Sequence, residues 1–323
     1  MNVSRAACIG AGLIGSEWAS LFSSKGIDVV IQDTGEDLLR RSMERIRANL
    51  TFMEKSGFLG KGEAEASLAR VRTTTLVSEA VSEADYVQES VPDKYEIKKA
   101  VFREMDASAP AGTILASSAS GLLMTEIQKA VTRPDRCVLV HPILPAHLIP
   151  VVEIAGGIET SGEILEATGS FMERVGKTPV VLKKEVSGYI VNRLQAALIR
   201  EAIDLVDKGV ASPEDVDTAY CRGIGLRSPL IGPFLRMHIA GEGIEDFLTN
   251  FGESYRYRWE SMETWTSIPP SAFKAVVEGT ARMKTVRSKS PDEIRKWRDE
   301  MLVRVLKTVT QGETAPKEPG GCR

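Results

Sequence analysis

The chain is poor in the residues that usually announce a function. Its 323 residues hold three histidines, four cysteines and only 6% aromatics. Cys8, Cys137, Cys221 and Cys322 are scattered, with no CxxC pair, so neither a zinc-type ligand set nor a disulfide framework is expected. Buried free thiols fit better, and with them a reducing cytoplasm. No apolar run approaches the roughly 20 residues that span a bilayer. The start, "MNVSRAACIG", lacks the charged-then-apolar layout of a secretory signal. A formal net charge of −3 leaves no basic footprint for nucleic acid or anionic lipid. No partner of either kind and no metal is expected. The polar "ETAPKEPGGCR" reads as a flexible tail over 313–323, without a peroxisomal ending.

What is present is order along the chain. Short Val/Ile-rich runs alternate with helical patterns up to about residue 185: "AACIG", "DVVIQD", "YVQESV", "TILAS", "CVLVH", "VVEIA" and "PVVLKK". Strands separated by helices predict a doubly wound parallel sheet. Between Gly35 and about Ala69, apolar residues at helical spacing predict one or two amphipathic helices. After Ser187 the strand signal stops. "GYIVNRLQAALIREAIDLVDKG" reads as a long helix closed by Gly209, and Ser212-Pro213 and Ser290-Pro291 read as helix starts. The expected organisation is an α/β domain over 1–186, an all-α domain over 187–312 and the tail.

"IGAGLIGSEW" carries chemistry. Gly10, Gly12 and Gly15 stand in GxGxxG spacing between a strand and a helix, enclosing Leu13 and Ile14. The first glycine permits the tight turn, the second lets a pyrophosphate approach the backbone, and the third lets helix and strand pack closely. Asp33, ending the second strand, is placed to accept from the adenosine ribose hydroxyls and to repel a 2′-phosphate. NAD is therefore favoured over NADP, although Arg40 and Arg41 follow on the next helix.

His141 ends the strand "RCVLV", and Ser117, Ser118 and Ser120 end the one before it. In an open parallel sheet, ligands sit beyond these strand ends. A histidine on an apolar strand is more often structural; this position argues for a base instead.

With these residues in view, the chain resembles the 3-hydroxyacyl-CoA dehydrogenase superfamily, a Rossmann-type domain followed by a helical one. Within it the sequence is most similar to the branch of L-gulonate 3-dehydrogenase (lambda-crystallin) and L-carnitine dehydrogenase. The carriers are "SSASGLL", the interval from His141 to Glu153, and "SGYIVNRL". The resemblance implies a His141–Glu153 dyad as general base, with Ser120 and Asn192 on the substrate oxygen. "QESVPDKYEIK" matches a strand-end pattern in which Glu89, with Lys98 and Ser118, belongs to the cofactor site. It also implies a homodimer through the helical domain. Two departures bear on substrate. Leu144 replaces the family's usual asparagine. "GIGLRSPLIGPF" holds Arg227, flanked by Gly and Pro and so expected in a loop facing the cleft, where a guanidinium is suited to a carboxylate. A small, carboxylate-bearing hydroxy acid is the expected substrate. An L-3-hydroxyacyl-CoA dehydrogenase, or a dinucleotide-binding protein with little turnover, remain alternatives. The run holding Tyr255, Tyr257, Trp259 and Trp265 could cage a quaternary ammonium or pack a dimer core, and packing is favoured.

Overall fold

The computed structural model of the protein describes residues 3–313. The chain divides into two compact units, Met1–Arg193 and Leu194–Arg323, the division falling inside the helix Val191–Asp207. Of the tail expected over 313–323, Glu313 ends the last helix; the rest, with Cys322, lies outside the described residues.

The first unit holds an eight-stranded sheet: β1 (Arg5–Ile9), β2 (Asp28–Gln32), β3 (Val71–Thr74), β4 (Tyr86–Glu89), β5 (Ile114–Ser117), β6 (Cys137–Pro142), β7 (Val151–Gly156) and β8 (Thr178–Val181). The order is β3-β2-β1-β4-β5-β6-β7-β8. Seven of these strands are the seven apolar runs. The eighth, β3, reads "VRTT" and has no apolar signature, because at the sheet edge only Val71 and Thr74 are buried. One expectation needs correcting. The sheet is parallel except at β6 and β7, which pair antiparallel. The link between Pro142 and Val151 is too short for a crossover helix, so the chain can only turn back.

The core forms two layers. On one face Trp18 stacks on Phe22 at 5.2 Å, and Tyr86 meets Phe171 at 4.7 Å. On the other, Phe102, Met105, Leu139 and Tyr189 are fully buried. Each large apolar side chain buried in these layers contributes roughly 1.5–3 kcal/mol. Cys8 and Cys137 are buried free thiols inside β1 and β6, as expected; Cys221 is exposed, contrary to expectation.

The second unit is helical, and among the described residues no strand follows Val181. The two long-range cap signals are realised. Ser212 accepts from the Asp215 amide at 3.2 Å, and Ser290 and Glu293 cap each other reciprocally. Arg227 does not sit in an irregular loop as expected. It ends a short helix, Gly225–Arg227, that follows a π-helical turn at Tyr220–Ile224. The stretch remains regular because its amides keep finding carbonyls in the preceding turn, such as Ser228 N to Ile224 O at 3.2 Å.

A Cβ on Gly15 would lie 1.9 Å from the Gly10 carbonyl oxygen, a backbone atom that cannot step aside. Gly15→Ala is expected to destabilise the protein by about 3 kcal/mol. Urea unfolding followed by circular dichroism checks this; a loss under about 0.5 kcal/mol would show that the loop is not closed so tightly.

Candidate active site

The glycine loop is held from below. Gly10 adopts φ 96°, a conformation that favours glycine, and its amide donates to Gln32 O at 2.8 Å. Asp33 fastens the loop to β2. Its Oδ2 accepts from Ala11 N at 2.8 Å and its Oδ1 from Thr34 N at 2.7 Å. Each carboxylate oxygen keeps lone-pair capacity for a ribose hydroxyl. Above the loop runs a groove of about 780 Å³, lined by Gly10, Gly12, Leu13, Ile14 and Asp33 at one end and by Ser118, Ser120 and Leu144 at the other. Around Gly12 there is open space where a Cβ would stand, and the helix Leu13–Ser24 begins there with free amides. These residues fit a dinucleotide. Among the described lining residues Lys98 is the only cation, and Arg40 is tied to Asp37 at 2.9 Å, so nothing at Asp33 awaits a 2′-phosphate. Gly15 does not line the groove; its role is the close packing described above.

Glu89 lies elsewhere than on the groove. It is fully buried beneath it, so what it contributes at the groove passes through the groups it holds. Its Oε1 accepts from Lys98 Nζ at 2.7 Å and from Val91 N at 2.6 Å, and its Oε2 from Ser117 Oγ at 2.6 Å. Burial pushes its carboxyl up against the downward pull of Lys98 and Ser117. Glu89 therefore anchors Lys98, which reaches the groove and Asp93 at 3.5 Å. Asp93 is a site residue that motif reading missed. Its Oδ2 accepts from both the amide and the hydroxyl of Ser120, at 2.9 and 2.8 Å. The one signal for it was an acid just past a strand end, after Pro92.

The antiparallel register sets His141 directly opposite Glu153. His141 Nδ1 and Glu153 Oε2 are 2.9 Å apart, both buried. A carboxylate accepts there, so Nδ1 carries the hydrogen and Nε2 keeps its lone pair. Glu153 Oε1 accepts from Ile190 N at 2.8 Å and Val191 N at 3.0 Å, the first amides of the helix Val191–Asp207. Burial alone would raise the Glu153 carboxyl. The His141 contact and the two amides outweigh it and hold the group below its ordinary range. Tyr189, also missed from sequence, closes the back of the imidazole with ring centroids 5.2 Å apart, and its hydroxyl donates to Leu122 O at 2.6 Å.

The four residues expected to be catalytic are joined by one chain of contacts. Asn192, next to Val191, donates from Nδ2 to Ser120 O at 2.9 Å. Glu153 and Asn192 thus meet at the same helix start, and Ser120 carries the connection to the groove lining. The Leu144 loop is gripped from both sides. Glu17 accepts from Ala146 N, while Lys177 donates to the Ala146 and Ile149 carbonyls. Burial brings Lys177 down to about 7 and His147, in the same loop, down to about 4. Leu144 itself is 44% exposed. Arg227, in the second unit, is exposed and has no ion-pair partner among the described residues. In the aromatic helix there, Ile244–Ser261, the rings lie tilted against one another, Phe247 against Tyr255 and Tyr255 against Trp259, with Trp259 65% exposed.

A glycine loop at a helix start, an acid just after β2 and a histidine–carboxylate pair across β6 and β7 define a nicotinamide-dinucleotide dehydrogenase. Comparison with known proteins agrees. The profile of the 3-hydroxyacyl-CoA dehydrogenase NAD-binding domain matches residues 5–186, and that of the family's C-terminal domain matches 188–288. L-carnitine dehydrogenase of Oceanobacillus iheyensis is 36% identical over 94% of this chain and 98% of its own. The lambda-crystallin homolog of Homo sapiens is 32% identical over 96% and 99%. The crystal structure of 5-formyl-3-hydroxy-2-methylpyridine 4-carboxylic acid 5-dehydrogenase, an NAD+-dependent dismutase, superposes with a TM-score of 0.82 at 29% identity, covering 96% of this chain and 99% of that one. The chain belongs to the 3-hydroxyacyl-CoA dehydrogenase family and is an NAD-dependent 3-hydroxy acid dehydrogenase.

A depressed Glu153 contributes stability that is present above the ordinary carboxylate range and lost as pH falls through its folded value. Glu153→Gln is expected to melt below wild type at pH 7, by about 3 kcal/mol in stability. The gap should narrow as pH falls below the ordinary carboxylate range and close below the folded value. Thermal melts across pH check it; an equal gap at both ends would show that Glu153 is not the ionised partner.

Proposed function

We propose that this protein oxidises the 3-hydroxyl of a small, carboxylate-bearing hydroxy acid to the 3-oxo product. The observation that carries the reading is the His141–Glu153 pair, set face to face in the β6–β7 ladder near the C-terminal end of β6, with His141 Nε2 unpartnered among the described residues. His141 Nε2 takes the hydroxyl proton, and Glu153 stabilises the imidazolium that forms. When bound, NAD supplies the acceptor for the hydride leaving the same carbon. Ser120 spends its hydroxyl hydrogen on Asp93, so it meets the substrate as an acceptor. Asn192 keeps a second amide hydrogen to donate to the oxygen as it becomes a carbonyl. Gly10, Gly12, Leu13, Ile14 and Asp33 hold the cofactor, with Ser118 and a Lys98 set in place by Glu89.

The exposed guanidinium of Arg227 supports a free carboxylate on the substrate. So does the similarity to L-carnitine dehydrogenase, since L-carnitine is itself a 3-hydroxy acid. A carnitine- or gulonate-like substrate is the finer reading. A homodimer through the helical unit is part of the proposal. The support is the apolar surface that unit leaves exposed, including Leu226, Leu230 and Phe234. A cytoplasmic location is supported by the free thiols of Cys8 and Cys137.

NADH formation over a panel of L-carnitine, L-gulonate, 3-hydroxybutyrate and 3-hydroxybutyryl-CoA tests the reading. His141→Ala is expected to lower kcat by about 10²–10⁴ with NADH binding unchanged. Arg227→Ala is expected to raise KM for a free acid about tenfold or more, since a charged hydrogen bond is lost. Turnover of the thioester alone, insensitive to Arg227→Ala, would replace the carboxylate reading with the acyl-CoA one. Tight NADH binding without turnover on any substrate would favour a binding protein and point to Leu144.

A further inference from the structure

Behind the groove, three side chains converge on one hydroxyl. Ser118 Oγ lies 3.2 Å from Trp18 Nε1, 2.7 Å from Gln88 Nε2 and 2.9 Å from Ser90 Oγ. The direction of each hydrogen bond can be worked out. An indole N–H only donates. The Gln88 amide is fixed by its other neighbours. Nε2 also faces the Val140 carbonyl at 3.3 Å, and Oε1 takes the Tyr86 hydroxyl at 2.6 Å. Turning the amide over would set two acceptors against each other at Val140. Gln88 therefore donates to Ser118, as Trp18 does, and the two lone pairs of Ser118 are filled. The Ser118 hydrogen must go outward. Its available protein acceptor is Ser90 Oγ, so Ser118 donates to Ser90 and Ser90 cannot donate back. Ser90 is left with a hydrogen to give. Trp18, Gln88 and Tyr86 are buried, and Ser90 lines the groove.

We propose that Ser90 is a cofactor-binding residue, an obligatory hydroxyl donor to an acceptor oxygen on the nicotinamide half of the bound dinucleotide, with Trp18 and Gln88 as positioning residues that set its polarity through Ser118. The half follows from the order of the strands. Asp33 follows β2, the glycine loop leaves β1, and Ser90 and Ser118 follow β4 and β5, on the way to His141 near the end of β6. A dinucleotide with its adenosine at Asp33 and its pyrophosphate on the glycine loop passes Ser90 with its nicotinamide ribose and carboxamide. The inference rests on the proposed seating of NAD in this groove. Polarised donors in a chain strengthen one another, so Ser90 donates better than an isolated serine would.

Fluorescence titration of NADH, with ADP as a competing ligand that lacks the nicotinamide half, tests it without turnover. Ser90→Ala should weaken NADH binding about threefold to tenfold, the range of one neutral hydrogen bond. ADP should bind wild type and Ser90→Ala alike. Trp18→Phe removes one donor, opens a lone pair on Ser118 and lets Ser90 turn inward, so it should weaken NADH in the same sense. The double variant should then lose less than the sum of the two, while ADP binding stays level throughout. Equal loss for ADP and NADH, or no loss in Ser90→Ala, overturns the proposal. Additive losses overturn the polarity chain. If wild type binds neither ligand, or if Asp33→Ala leaves ADP binding unchanged, the seating of the cofactor fails, and the Ser90 assignment with it.

Discussion

The catalytic half of this protein depends on one strand reversal. In a sheet otherwise parallel, β6 and β7 run antiparallel, and that register puts His141 and Glu153 face to face. The same turn brings the Glu153 carboxylate against the start of the helix Val191–Asp207, where unpaired amides await an acceptor. One carboxylate thus orients the imidazole, caps a helix and fixes the residue pair Val191-Asn192. Its three interactions keep a buried charge in place that would otherwise be expelled or protonated. Asn192 in turn holds the Ser120 carbonyl, so the alcohol-binding groups share the dyad's anchor.

The cofactor side is supported by a different buried charge pair. Glu89 and Lys98 lie under the groove floor, and their contact is saturated by Ser117 and the Val91 amide and carbonyl. Such a pair adds little net stability, because desolvation offsets most of its attraction. What it does is point Lys98 and present the Val91–Asp93 turn at a fixed height. Asp93 then spends both its attention and its charge on Ser120, linking the two halves of the site through a residue that neither glycine loop nor dyad would suggest. Polar groups around the groove are thus positioned by other polar groups that never touch it.

Much of this could be read along the chain, for definable reasons. Strands inside the sheet carry continuous apolar runs because both their faces are buried; the edge strand β3 does not, while the other edge, β8, keeps its valines although they are exposed. The glycine spacing is local geometry and survives as text. So do the serine–proline helix starts. That Glu89 lies under the groove was not legible, because β4 is buried on both faces and offers no alternation to read. The expected loop at Arg227 failed for another reason: Gly and Pro flank it, but the π-helical turn Tyr220–Ile224 carries the helix through.

The sequence by itself determined the elements and the glycine loop, since each rests on residues within one turn or one strand of each other. Only the tertiary structure decided which groups meet. The facing of His141 and Glu153, the saturation of Glu89, the coupling of Asp93 to Ser120 and the one-way chain from Trp18 to Ser90 all join residues on different elements. Hydrogen-bond direction there is set by what each partner has left to give or accept. That is a property of the assembled neighbourhood, and no single segment contains it.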